Sequence, residues 1–467
     1  MEGVERKGRR LLLIPLPLQG HINPMLHLAQ ILYSNAFSIT ILHTTFNSPD
    51  PSNYPHFNFS CIQEPSSLCL SQSSASHLLN FLLALNAQCV TPFQECVTKL
   101  LSEEPQPVAC LISDALCYFT QGVADKLRLP RIVLRTGGVS SFVAFAAFPF
   151  LRLKGYIPIQ DCKLEEAVTE VPPLRVKDLP TVKTEEPEKY YELLHRFVNE
   201  TKNSLGVIWN SFQELESSAL TKLSQEFSFS MPMFPIGPFH KYFPTSSSSS
   251  CSSLISQDQS CISWLDKHSP NSVLYVSFGS VAAITETDFL EIAWGLANSN
   301  HPFLWVVRPG LIMGSKWLEP LPSGLMENLE GRGLIVKWAP QLEVLAHSAV
   351  GAFWTHNGWN STLESICEGV PMICMPCFTD QKVNARYVSH VWRIGLQLEN
   401  GVERGEIERA IRRLMDVNAE GKEIRDRALK LKEEVKLCLK TGGSSCSSLE
   451  ALVTYILSLE SSTFQAS

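Results

Sequence analysis

The sequence predicts an α/β fold in which two parallel sheets face one another across a cleft. Three observations lead there. Short apolar runs are continuous rather than alternating, so the strands are covered on both faces, as in parallel sheets packed between helices. Each run is followed by an amphipathic stretch, and this rhythm recurs in both halves of the 467-residue chain. One polar segment, 241–259, with Ser246 to Ser250 at its centre and no apolar period, interrupts the rhythm and reads as a linker between halves of similar length.

The elements follow in order. Leu11 to Pro17 comes after the basic Arg6-Lys7-Gly8-Arg9-Arg10 and superficially matches a secretion signal. Pro15 and Pro17 interrupt it and no small-residue cleavage site follows, so it reads as a buried strand. A turn at Gly20 to Pro24 then leads into a helix from Met25 to Tyr33. Further strands are expected at Ser38 to His43, Val108 to Ser113, Arg131 to Leu134 and Val207 to Asn210. Beyond the linker, the strand Val273 to Phe278 precedes a helix over Thr287 to Ala297. Strands at Phe303 to Val307, Leu334 to Lys337, Val350 to Thr355 and Pro371 to Met375 complete the series. The domains are expected at 1–240 and 260–446. No apolar run approaches the ~18 residues of a membrane span, and a cytoplasmic monomer is the expectation.

Composition narrows the function classes. A formal charge of −7 with no basic block leaves no electrostatic footprint for nucleic acid. The 14 cysteines are scattered, without the density of a disulfide scaffold, and read as reduced core thiols. No Gly-x-Gly-x-x-Gly, Walker-type lysine loop, His-Glu-x-x-His, Gly-x-Ser-x-Gly or Asp-x-Asp is present, which weakens dehydrogenase, NTPase, zincin, serine-hydrolase and sugar-nucleotide metal readings. Cys374-x-x-Cys377 has no second ligand pair at zinc spacing.

Ligands of open parallel sheets bind beyond the carboxyl ends of the strands. In the second half that rim carries Gly279-Ser280, Trp338-Ala339-Pro340-Gln341, His356-Asn357-Gly358-Trp359-Asn360-Ser361 and Phe378-Thr379-Asp380-Gln381. The third loop passes directly into a helix, whose first N–H groups attract phosphate. Ser361 and Glu364 read equally well as a capping box that only starts that helix. In the first half, His21 follows the first strand and Asp114 follows Val108 to Ser113. A neutral imidazole can take a proton from a hydroxyl while a carboxylate fixes its tautomer. On the residues alone, surface decoration is the stronger reading of His21 and a helix cap the stronger reading of Asp114.

The stretch from Trp338 to Gln381, WAPQLEVLAHSAVGAFWTHNGWNSTLESICEGVPMICMPCFTDQ, closely resembles the signature box of plant UDP-sugar-dependent glycosyltransferases of secondary metabolism. PLPLQGHINP at 15–24, SDALCYFTQGVADKL at 113–127, RIVLRTGGVSSF at 131–142, SWLDKHSPNSVLYVSFGS at 263–280 and FLWVVRPG at 303–310 extend the resemblance along the chain. It implies the GT-B architecture: two Rossmann-like domains, acceptor held by the first and UDP-sugar by the second, and a last helix at 447–467 returning to the first.

By the same resemblance, Trp338 stacks on uracil, the Ala339 backbone bonds it, and Gln341 and Glu364 contact ribose. Ser280, His356, Gly358, Asn360 and Ser361 match the diphosphate cradle. Trp359, Asp380 and Gln381 match sugar contacts, and Thr136 matches a further donor contact. His21 and Asp114 match the base and its relay partner. No cofactor or metal is implied; the partners are UDP-glucose and a small acceptor. Gln381, in place of the His linked to galactose, implies glucose. The nearest subgroup acts on small acids and hormones, cytokinins, iridoids and diterpenoid glycosides, so a phenolic or hydroxy acid, hormone or terpenoid accepting through a hydroxyl or carboxyl is expected. The acceptor pocket is expected in loops around Leu78 to Leu85, Phe142 to Phe150 and Tyr190 to Phe197. Two departures stand out: Asn357 where Cys is commoner, and Gly137-Gly138 in place of a Ser-rich pair. The alternative is a catalytically silent nucleotide-sugar-binding protein.

Overall fold

Continuous burial of the apolar runs produces two separate all-parallel sheets. The computed structural model describes residues 9–63, 75–103, 106–243, 255–325, 329, 331–399 and 401–459. In the first half, β1 (Arg10–Ile14), β2 (Ser38–Thr44), β3 (Asn58–Ile62), β4 (Val108–Asp114), β5 (Arg131–Arg135), β6 (Val207–Trp209) and β7 (Met233–Pro235) pair in the order β3-β2-β1-β4-β5-β6-β7. In the second, β8 (Val273–Ser277), β9 (Phe303–Val306), β10 (Gly333–Val336), β11 (Val350–Thr355), β12 (Met372–Cys374) and β13 (Gly395–Gln397) pair in the order β10-β9-β8-β11-β12-β13. Every neighbouring pair is parallel.

All the strands expected from apolar runs form. The three unexpected ones, β3, β7 and β13, each lie at a sheet edge. An edge strand need not be apolar throughout: β3 is mostly half-exposed, and β7 and β13 have three residues each. The run behind the basic N-terminal residues is β1, an interior strand buried at every position. Most of the Ser-rich segment, 244–254, lies outside the described residues.

The terminal helix runs over Ser444–Leu459 and packs on the first sheet, with Leu449, Leu452, Val453 and Ile456 among the core residues that include Leu11, Leu13 and Ile39. Each such side chain contributes roughly 1.5–3 kcal/mol of burial. The last residues of the expected helix, 460–467, are outside the described residues. The twelve cysteines of the described residues are free. Among the described residues no three His, Cys, Asp or Glu form a group able to hold a metal ion, and no helix is long and apolar enough to cross a membrane.

Two expectations need correction. The first helix begins at Gln19, not Met25, so His21 sits in its first turn and Pro24 is interior. The Pro that suggested a turn lies inside the helix, where it has no N–H to give the Gly20 carbonyl and leaves that acceptor without its helical partner. The expected acceptor loops are helices: Ala75–Gln88, Val139–Ala146 with Phe148–Leu153, and Pro187–Lys202.

Strand order reverses between β1 and β4 in the first sheet and between β8 and β11 in the second. Ile14 pairs with Ser113 at one reversal, Thr355 with Ser277 at the other. Connections leave in opposite directions there and open a crevice. His21 and Asp114 stand over the first crevice; Gly279, Ser280 and His356 stand over the second.

Candidate active site

Every site residue expected from the sequence lines a single cavity of about 360 Å³ between the two sheets. On one side, His21 Nδ1 lies 2.7 Å from Asp114 Oδ2 and 2.9 Å from the Thr136 hydroxyl. Asp114 is buried, and its other oxygen accepts the Leu116 N–H at 2.9 Å. Both carboxylate oxygens are therefore engaged, and the imidazole is held with Nδ1 toward Asp114. That leaves Nε2, whose lone pair can accept a proton. Thr136, expected only as a donor contact, also touches His21.

On the opposite side, Gly358 caps the helix Trp359–Glu368 without any side-chain cap, and the first helical bond from its start is Thr362 N–H to Gly358 C=O at 3.0 Å. The N–H groups of Trp359, Asn360 and Ser361 thus have no partner within the helix. Ser361 is inside the helix, so the capping-box reading of Ser361 and Glu364 fails. His356 packs so tightly between two glycines that a Cβ on Gly279 (φ +73°) would sit 2.6 Å from its ring, and one on Gly358 2.5 Å from Nε2. Burial, then the charge of Arg308, lowers the His356 pKa to about 4, and its Nδ1 is buried without a partner. The ring is therefore a neutral hydrogen-bonding group at neutral pH.

Deeper in the second half, Gln341 Nε2 donates to Ser361 Oγ (2.9 Å) and Glu364 Oε2 (2.6 Å), and Tyr275 donates to Gln341 Oε1 (3.2 Å). Burial pushes the Glu364 carboxyl up to about 7, against the hydrogen bond from Gln341. The backbone N–H groups of Cys377 and Phe378 donate to Gln381 Oε1 at 2.9 and 3.2 Å, which leaves its Nε2 as a donor. Asp380, raised by burial, accepts from Thr379 and from Asn384. Thr379 sits at φ +49°, a strained position for a non-glycine residue and one found mainly at functional sites. Trp338 and Ala339 complete the rim, Trp338 half-buried and Ala339 buried.

Asn360 and Trp359 also join the two halves. Asn360 Nδ2 donates at 2.8 Å to the Gly20 carbonyl, the acceptor that Pro24 leaves free. The Trp359 indole N–H donates at 2.8 Å to Asn210 C=O, and its ring lies where a Cβ on Gly138 would stand 2.8 Å away. Within the departure at 137–138, Gly138 makes room for this indole, while Gly137 faces Ser141 and Asp380. Asn357, the other departure, is buried at φ +60°, a conformation Asn tolerates better than most residues, and its side chain donates to Cys374 Sγ at 3.3 Å. Cys374 is thereby a buried packing group rather than a metal ligand.

Residues 60–424 match the family described as UDP-glucoronosyl and UDP-glucosyl transferase. The chain belongs to this family. It is 55% identical over 448 residues to UDP-glycosyltransferase 76B1 of Arabidopsis thaliana, covering 96% of this chain and 98% of that one. Among solved structures, Medicago truncatula UGT71G1 complexed with UDP-glucose superimposes with a TM-score of 0.79 at 26% identity, over 96% of this chain and 98% of that one. Phytolacca americana UGT2 complexed with UDP-2fluoro-glucose and pterostilbene does so with a TM-score of 0.79 at 28% identity, over 97% and 100%. The protein is thus an enzyme of the GT-B fold that transfers a glycosyl group from a UDP-sugar to a small-molecule acceptor.

Three residues of the transferase site were missed by sequence reasoning. Arg308 donates from Nε to the Gly279 carbonyl at 3.0 Å and from Nη2 to that of Ala282, fixing the loop that carries Ser280. Glu216, buried, accepts the Val139 and Ser140 N–H groups and the Ser211 hydroxyl, starting the helix Val139–Ala146 that walls the acceptor side. Arg135, at the end of β5, lines the cavity. Arg308 and Arg135 shared a signal: each is a charge at, or just beyond, the carboxyl end of a strand with an apolar centre.

Proposed function

We propose that the transferase moves glucose from UDP-glucose to an oxygen of a small plant metabolite with inversion at the anomeric carbon. The observation that carries this reading is the His21–Asp114 pair standing opposite an N–H-lined helix start across one cavity. His21 Nε2 takes the acceptor proton as the acceptor oxygen bonds to the anomeric carbon. The bond to the diphosphate oxygen breaks, and its electron pair leaves with UDP. Asp114 steadies the imidazolium, and Thr136 limits ring rotation. Charge on the leaving diphosphate is met by the free N–H groups at 359–361, by Ser280 and by neutral His356, fixed dipoles that need no reorganisation during transfer.

Uracil lies on Trp338 and the Ala339 backbone in this reading, with ribose on Gln341 and Glu364. Gln381 Nε2 and Asp380 take sugar hydroxyls, and the occupied indole of Trp359 leaves only its backbone for that purpose. Gln381 in place of His supports glucose over galactose, and comparison of initial rates with UDP-glucose, UDP-galactose and UDP-xylose tests it. A silent nucleotide-sugar binder has no use for a paired imidazole and carboxylate, so that alternative is disfavoured.

His21→Ala should lower kcat by roughly 10² to 10⁴ while UDP affinity, measured by calorimetry, is retained. Turnover close to wild type in that variant would refute the role of the base. An acceptor that reacts through an already ionised carboxylate has no proton to lose, and for it the deficit should shrink.

A further inference from the structure

The acceptor side of the cavity holds a charge that catalysis as described above does not use. Arg135 is 6% exposed. Its guanidinium carbon lies 4.2 Å from the Phe142 ring centroid, 4.8 Å from that of Phe197 and 5.9 Å from that of Trp209. Its Nε is buried without a partner, and among the described residues the side chain makes no hydrogen bond or ion pair. Rings therefore serve the flat face of the cation, while the N–H edge is unserved and borders the cavity.

A buried guanidinium without acceptors is costly, and such groups are normally paired. The nearby carboxylates, Asp114 and Asp380, favour the charged form through space but do not touch it, and Asp114 already has both oxygens engaged. The surrounding wall is apolar: Phe145, Leu193, Leu194 and Phe197. An apolar slot with one unpaired planar cation suits a small aryl or alkyl anion whose carboxylate can receive two parallel N–H bonds.

Building on the proposed function, we infer that Arg135 selects acceptors carrying a carboxylate in addition to the hydroxyl that meets His21. The carboxylate stays bound and unchanged while the hydroxyl loses its proton to His21 and gains the glucosyl group. This makes Arg135 a specificity-determining residue, the group that tells an acid acceptor from its neutral counterpart.

The test pairs the 2-, 3- and 4-hydroxybenzoates and hydroxyphenylacetates with their primary amides, each with UDP-glucose. Wild type should favour at least one acid over its amide in kcat/KM by about tenfold or more. Arg135→Met, which keeps an apolar stem against the rings, should reduce that advantage to within about threefold while the amide's own kcat/KM changes little. No acid preference in wild type, or an equal loss on acid and amide in the variant, overturns the inference. A purely structural Arg135 predicts the equal loss. If Arg135→Met fails to fold, Arg135→Lys, which keeps charge but loses the fork, should weaken the acid preference without abolishing it, and an unchanged preference overturns the inference. If neither acid nor amide is glucosylated although UDP binds, the transfer reading is at fault, and calorimetry with benzoate and benzamide still decides Arg135. Benzoate should then bind wild type more tightly than benzamide; equal binding counts against it.

Discussion

Glu364, proposed above to bind ribose, shows how burial sets the protonation state of a cavity carboxyl. Its carboxyl, pushed up to about 7 by burial, is partly protonated at neutral pH in the free enzyme. In the proposed reading a ribose hydroxyl donates to the ionised form, so donor binding favours loss of that proton. UDP-glucose affinity should therefore fall as pH drops below about 7, by at most about tenfold per pH unit, and level off above about 8. Calorimetry in buffers of different ionisation heat should detect proton release on binding near pH 7, and Glu364→Gln should flatten the profile. Proton uptake, or constant affinity between about pH 6 and 8, would count against the ribose role. His356, held near 4 by burial, stays neutral throughout this range and adds no slope.

At the scale of an element, the helix Gln19–Ser34 combines the proposed base with a mechanical feature. Its first turn carries His21, and its interior Pro24 denies the Gly20 carbonyl a helical partner, so that Asn360 of the other half binds it instead. Pro24→Ala restores the missing N–H and sets the two donors in competition. Removing an interior proline relieves up to about 3 kcal/mol of helix strain, whereas a hydrogen bond such as Asn360–Gly20 is worth about 0.5–1.5 kcal/mol. The melting temperature should hold or rise while kcat/KM for donor transfer falls by roughly two- to tenfold. A variant with unchanged turnover would show that the Gly20–Asn360 contact does not matter to the reaction.

On the scale of the molecule, the two sheets meet through a few specific contacts around the cavity. Trp359 bonds Asn210, Trp392 bonds Leu215 C=O at 3.3 Å, and Arg175 pairs with Glu399 at 3.0 Å. Arg175 meets Glu399 through two N–H bonds, at 3.0 and 3.1 Å, and Lys177 joins the same carboxylate, so this charge network adds to the join made by the buried indole. Gly138 has φ −68°, which any residue adopts, so Gly138→Ala adds no backbone strain but forces a methyl to 2.8 Å from the Trp359 ring and to 3.2 Å from Glu216 Oε1. Overpacking of this kind typically costs about 1–3 kcal/mol, and here part of that cost should be relieved by opening the cleft. We expect a lower melting temperature and reduced kcat with UDP affinity largely intact, measured by scanning calorimetry, steady-state kinetics and titration. Loss of UDP binding equal to the loss of kcat would place the damage in the second half instead.

Local pattern along the chain was enough for the class of fold, the interior strands and the residues of the rim, because burial on two faces demands continuous apolar runs and a parallel sheet delivers its strand ends to one edge. His21, Asp114 and the loop at 356–361 were legible for that reason, with the family resemblance deciding between readings the residues left open. Edge strands β3, β7 and β13 were not, since half-exposed or very short strands carry no such run. Tertiary structure alone decided what pairs across the cleft: Pro24 with Asn360 through Gly20, Gly138 with Trp359, and the unpaired Arg135 over its three rings. Those relations join positions distant along the chain, where local pattern carries no information and only packing brings the groups into contact.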